Sequence, residues 1–168
     1  MSDNLLPFEE LFDVVDELDQ VLYPLARSQV HRQKLRHRAV HIFLFRSDGC
    51  LLIHQRSSTK EEFPSVWTSS ASGHVSAGEG YDESAQRELQ EELGVTAELR
   101  AIKKFDACPD TSNEFTVLYE AFSDSLVTPD LNEMQAIRWM SPADISDWMA
   151  KSPEDFSPAF RLLFPHRT

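Results

Sequence analysis

Two apolar, strand-like runs, Val40–Arg46 (VHIFLFR) and Leu51–Gln55 (LLIHQ), flank Ser47-Asp48-Gly49-Cys50. The Asp-Gly pair is the strongest hairpin signal in the chain, since tight hairpin turns need residues that tolerate positive φ. Upstream, Phe12–Asp16 and Gln20–Leu25 predict two short strands joined at an acidic turn. Downstream, Thr96–Phe105, Glu114–Phe122 and Ala136–Met140 predict three more. Between them Ser57–Ser72 is rich in loop residues around Pro64 and Trp67. Tyr81–Leu93 predicts a helix, with Ala85, Leu89 and Leu93 on one stripe, Gly80 or Asp82 as cap and Gly94 as stop. Asp144–Met149 and Ser157–Leu163 predict two short helices, with Pro142 near the start of the first. Strands interleaved with a few helices, several joins being hairpin-like, predict an α/β (α+β) fold with a mixed sheet. His41 and His54 fall on strands and are read as ordinary half-buried residues. Trp67 and Phe63 are read as core packing, with a pocket wall as the alternative.

Composition narrows the function classes. The chain has 168 residues, 41% hydrophobic and 26% charged, enough for one domain with a real core. No repeat or linker divides it, so residues 1–168 are expected to form a single domain with 1–36 as an N-terminal extension. The apolar strand pair in that extension either caps the sheet or meets a second copy in a homodimer. No apolar run approaches the ~20 residues of a membrane helix. The start, MSDNLLPFEELFD, lacks the order of a secretory signal. Cys50 and Cys108 have no partner spacing, so free thiols and a cytoplasmic location are expected. With 28 acidic and 16 basic residues the net charge is −12, which argues against non-specific nucleic-acid binding. A small phosphorylated ligand remains compatible if a metal or a few local arginines supply positive charge. Arg27, Arg32, Lys34, Arg36 and Arg38 crowd one stretch, either as a solvated face or as a rim that steers an anion.

The chemistry concentrates in Gly73–Val95, GHVSAGEGYDESAQRELQEELGV. On a helix, Glu88, Glu91 and Glu92 fall within an arc of about 100°. Like charges so placed repel, and a hard divalent cation compensates them, because Mg²⁺ is held by carboxylates together with substrate phosphates. A solvated acidic face is the alternative. Gly73 lies where backbone could approach a ligand closely, and Arg87 could reach back to Glu79 and pin the loop by a charge-assisted hydrogen bond.

These residues resemble a Nudix box: Gly73, Glu79, Arg87, Glu88, Leu89, Glu91, Glu92, Gly94 and Val95 match every fixed position of the motif over residues 73–95. The resemblance implies the Nudix fold, a mixed sheet between helices. It also implies hydrolysis of a diphosphate linkage in a nucleoside-diphosphate-type or related small molecule, with Mg²⁺ or Mn²⁺. Carried over, Glu88 and Glu92 become the main metal ligands, with Glu91 and the Gly73 carbonyl as further ones. Glu79 and Arg87 become structural support. The base that takes the proton of the attacking water is left open among Glu88, Glu91, Glu114 and Glu133; Glu133 is equally readable as a helix cap or an exposed loop residue. Arg56 and Lys60 are candidates for contact with substrate phosphate.

A wider stretch, residues 12–164, resembles the isopentenyl-diphosphate isomerase branch of the same superfamily. His37–Phe45, Leu51–Arg56, Lys60, FPSVWTSSASGHVSAGE, Asn113-Glu114, Arg138-Trp139 and Phe156-Ser157-Pro158 carry that likeness. The branch implies a metal held by histidines and glutamates, and this chain keeps His37, His74 and Glu114. Whether these histidines form a second metal site is left open. The chain departs from the branch at Ser72, where the isomerase has a cysteine, and at Ser112, where it has another glutamate. It keeps Glu88 and Glu91, which isomerases typically lose. These departures favour hydrolysis over isomerisation; a non-catalytic ligand sensor is the third class, disfavoured by the retained acids.

Overall fold

Residues 9–168 are described by a computed structural model, so the acidic start of the chain lies largely outside the described residues. The strands are β1 (Leu11–Val15), β2 (Val21–Ala26), β3 (His37–Phe45), β4 (Leu51–Arg56), β5 (Trp67–Thr68), β6 (Ala71–His74), β7 (Arg100–Phe105), β8 (Glu114–Phe122) and β9 (Met134–Met140). The helices are α1 (Arg27–Arg32), α2 (Tyr81–Leu93), α3 (Pro142–Lys151) and α4 (Pro158–Leu163).

Alternation along β3 sets the layers. Val40, Ile42 and Leu44 join Ala85, Leu89 and Leu93 of α2 in one buried cluster. Phe43 and Phe45 face the other way, into a cluster with Ile145 of α3 and Phe160 and Leu163 of α4. A strand buried on both faces gives a run with little polar alternation, as VHIFLF does. β8 runs parallel to β3 over its whole length, which brings Glu114 opposite His37. The expected mixed sheet between helices is the one observed.

The Asp48-Gly49 turn forms, with Gly49 at φ +80°, but the hairpin it starts does not continue. β3 and β4 pair only at Phe45 and Leu51. Beyond that point β4 turns to β9 and β5, and β6 pairs antiparallel with β3 at Ala39–Ile42. Ser70 is the wedge: its buried hydroxyl accepts from Leu44 N (2.7 Å) and donates to Leu52 O (2.6 Å). One side chain thereby satisfies backbone groups that splaying would orphan. The loop-rich stretch 57–72 therefore contains β5 and the start of β6. Thr96–Leu99 lies outside any strand, and β9 begins two residues early, at Met134. α3 extends beyond Asp144–Met149 at both ends. α2 matches expectation, starting after Gly80 and ending at Gly94 in the left-handed region, φ +66°. His41 and His54 are fully buried rather than half-buried, and burial pushes each down to about 4, so both are neutral. Cys50 and Cys108 are free thiols. No helix among the described residues is long and apolar enough to cross a membrane.

The β1–β2 hairpin lies against the loop that leads into α2. Ala77 N donates to Leu11 O (2.8 Å), Gly78 N donates to Asp13 Oδ2 (2.8 Å), and Phe12 is fully buried. The outer strand keeps Val21, Leu22 and Tyr23 exposed. The hairpin tip is locked by Asp19, whose carboxylate accepts from Arg38 Nε (2.6 Å), Tyr81 Oη (2.9 Å) and the Lys104 ammonium. Burial raises the proton affinity of Asp19, but Lys104, Arg38 and Tyr81 outweigh it and hold the carboxyl below its usual range. Removing one partner of such a set leaves the others uncompensated. Asp19→Ala is expected to cost about 3–5 kcal/mol of folding free energy, read as a shift in the urea midpoint, with Asp19→Asn losing less.

Candidate active site

A cavity of about 290 Å³ opens where α2, β6, the start of β8 and the 57–66 loop converge. Glu88, Glu91, Glu92, Glu114 and Glu133 line it, as do Gly73, Arg56, Lys60 and Arg87. Glu79 is not in the lining; it holds Arg87 through a bidentate pair, with Nε and Nη2 each 2.9 Å from a carboxylate oxygen.

Helical spacing puts Glu88 and Glu92 on the side of α2 turned toward β6. Both are buried, at 9% and 5% exposure, whereas the Glu91 side chain is largely exposed. β6 crosses so closely that a Cβ on Gly73 would lie 2.1 Å from the Glu88 carboxyl; any side chain there would displace that carboxyl. Ser72 N donates to Glu92 Oε2 (3.2 Å). Arg87 Nη1 donates to Glu88 (2.7 Å) and to Glu91 (3.2 Å), and Nη2 reaches the His74 carbonyl (3.2 Å). That compensation is incomplete. Burial pushes Glu88 up to about 7 in spite of Arg87. Burial, then Glu88 and Glu133, push Glu92 well above the usual carboxylate range.

A second constellation adjoins the cavity, which two of its members, His74 and Glu114, line. One donor atom from each of His31, His37, His74 and Glu114 lies within 4.8 Å of all the others. His74 Nε2 is 2.9 Å from Glu114 Oε1, and His37 Nε2 is 3.3 Å from it. His37 Nδ1 is 2.9 Å from the Leu35 carbonyl, which can only accept, so Nδ1 is assigned the proton. His37 Nε2 is buried with no hydrogen-bond partner, and a carbonyl that holds Nδ1 orients an imidazole to meet a metal through Nε2. Burial, then His74 and His37, lower His31. Burial would raise Glu114, but His74 and His37 outweigh it and hold that carboxylate far below its usual range. The sequence reading had named His37, His74 and Glu114; it missed His31. Its ring lies 5.0 Å from that of His74 and 5.2 Å from that of His37, placed by α1, a helix too short and too polar to leave a periodic signal. Phe12 of the hairpin stacks on His74 and His37 at 4.5 and 5.5 Å.

The residues fit divalent cations in two ways. The carboxylates of α2 beside the Gly73 backbone offer oxygen donors, which suit Mg²⁺ or Mn²⁺; the imidazole set suits a first-row transition ion. The cationic side chains are already engaged. Arg56 gives Nε to the Glu62 and Phe63 carbonyls (3.1 Å each) and Nη2 to Glu62 O (2.9 Å). Lys60 pairs with Glu133, and Arg27 lies 3.5 Å from Glu10. Nine carboxylates and four lysine or arginine side chains line the cavity among the described residues.

Comparison with known proteins agrees with the box. Residues 35–160 match the NUDIX domain. An isopentenyl-diphosphate Delta-isomerase of Serratia proteamaculans is 34% identical over 160 residues, 92% of this chain and 89% of that protein. An uncharacterized Nudix hydrolase of Pseudomonas aeruginosa is 35% identical over 134 residues, 79% of each. Among solved structures, the Deinococcus radiodurans protein DR0079 superposes with a TM-score of 0.74 at 31% identity, over 84% of this chain and 90% of that one.

The buried acids set a pH dependence. A carboxyl whose folded-state proton affinity is raised stabilises the fold at low pH, and that stability is lost as pH rises through its folded value. For Glu88 the window runs from the ordinary 4.5 to about 7, worth on the order of 3 kcal/mol. His41 and His54, pushed down to about 4, act in the opposite sense between pH 4 and 6.5, so the acids' share is read as the difference between wild type and variant. Glu88→Gln and Glu92→Gln are each expected to stabilise metal-free protein more at about pH 8 than at about pH 5, and saturating Mg²⁺ should raise the wild-type melting temperature most at the alkaline end. Calorimetric melts across the range check it.

Proposed function

The chain belongs to the NUDIX family, and from that premise we propose that it is a divalent-metal-dependent pyrophosphohydrolase acting on a nucleoside-diphosphate-type small molecule. The observation that carries the reading is the pair Glu88–Glu92, buried against Gly73 with its charge incompletely compensated. Mg²⁺ or Mn²⁺ is the proposed ion, with Glu88, Glu91, Glu92 and the Gly73 carbonyl as the groups to hold it; bound there, it would neutralise the diphosphate and acidify the attacking water. Arg87, fixed by Glu79, sets the orientation of Glu88 and Glu91. Of the candidate bases, Glu114 is committed to two imidazoles and is a weak base, and Glu133 is tied to Lys60. Glu88 and Glu91 remain, each through a carboxylate oxygen not given to the metal. Lys60 and Arg56 border the same space and would meet substrate phosphate by exchanging their present partners.

The intact imidazole set and the isomerase relative favour a second reading, isomerisation of an isoprenoid diphosphate. Ser72 argues against it: it lines the cavity where the isomerase pattern has a thiol, and a hydroxyl is a far weaker acid. With Mg²⁺ or Mn²⁺ and a panel of diphosphates, the protein is expected to release phosphate or a nucleotide. Glu92→Gln should lower kcat by about a hundredfold or more. Undiminished turnover by that variant, or conversion of isopentenyl diphosphate to its dimethylallyl isomer without phosphate release, would defeat the hydrolase reading.

A further inference from the structure

Phe63 is the one large apolar side chain in the lining of the cavity among the described residues. It is 40% exposed, belongs to none of the buried hydrophobic clusters, and meets no other aromatic ring among the described residues. Trp67, four residues on, is buried among Phe156 and Trp148 as core packing requires. Phe63 therefore performs no packing work that its neighbours reveal. Its backbone is nonetheless held in the left-handed region, φ +47°, and so is that of Ser65, φ +61°. A bulky residue rarely adopts that conformation, and here it is fixed from outside. The half-buried Arg56 guanidinium donates to the Glu62 and Phe63 carbonyls, while Gln55 Nε2 donates to Ser65 O (2.8 Å). A loop stapled this way presents a ring to a cavity and keeps it there without a core to hold it.

We propose that Phe63 is the stacking platform for the aromatic base of the substrate's nucleoside moiety. The inference rests on the hydrolase reading and names its substrate class. The rest of the wall decides between bases and alkyl chains. Apart from Phe63 the lining is largely polar, including Glu62, Thr68, Asp110, Thr111 and Ser112. An isoprenoid tail needs apolar enclosure on several sides. A nucleobase needs one face to stack on and polar groups for its edges, and stacking of this kind tolerates any base.

The test uses probes that cannot turn over: methylene-bridged ADP and UDP, and base-less methylenediphosphonate, each titrated calorimetrically into the full chain with Mg²⁺. Wild type is expected to bind the better of the two nucleotides more tightly than methylenediphosphonate. Phe63→Ala and Phe63→Leu should weaken that nucleotide by about tenfold, at least about five times more than they weaken methylenediphosphonate, while Phe63→Trp retains the preference. Melting curves establish that the variants are folded. Equal binding of nucleotide and base-less probe by wild type, equal losses for both in Phe63→Ala, or full retention by Phe63→Leu overturns the platform. A wild-type chain that shows the base preference yet hydrolyses no diphosphate upholds the platform while the hydrolase reading fails, so the two fail separately.

Discussion

β6 passes over α2 at a distance that only a glycine allows while Glu88 keeps its place. A Cβ at Gly73 would sit inside the Glu88 side chain. The same crossing places Ser72 N on Glu92 and the His74 carbonyl on Arg87. Two acids are thereby carried out of water between a helix and a strand, where isolated charge is costly. The fold meets that cost in part with one arginine, and the arginine is itself locked by Glu79 into a geometry that cannot follow the acids elsewhere. What remains is a demand for positive charge at a fixed place.

The second donor set depends on a different part of the chain. The parallel pairing of β3 with β8 aligns His37 with Glu114, β6 brings His74, and the N-terminal extension contributes His31 and the stacked ring of Phe12. Asp19 ties that extension to β3, α2 and β7 through Arg38, Tyr81 and Lys104. The hairpin is thus part of the site's wall as well as a cover for the sheet, and loosening its tip should reach the imidazoles before it reaches the central core.

Sequence reading captured α2 and its caps because a helix with a periodic apolar stripe and flanking glycines is locally determined. It captured the box acids because their spacing is set by the same helix. It did not capture the splaying of β3 from β4, since the Asp-Gly turn is local while the Ser70 wedge joins residues far apart in sequence. His31 escaped for the same reason: its role exists only once α1, β3 and β6 are brought together. Arg56 and Lys60, read as candidates for phosphate contact, line the cavity, but their engagement with loop carbonyls and with Glu133 depends on a loop whose left-handed residues, Phe63 and Ser65, have no signature in the sequence.

The charge of the cavity connects these elements. A diphosphate entering a space lined by nine carboxylates and four cationic groups meets repulsion, because Arg87, Lys60 and Arg27 have acidic partners and Arg56 is spent on carbonyls. Repulsion in a partly desolvated space is poorly screened. A divalent cation bound first would weaken that repulsion by offsetting Glu88 and Glu92. An acidic protein of net charge −12 can take a polyanionic substrate provided that the metal enters no later than the substrate, whether alone or as the metal–diphosphate complex.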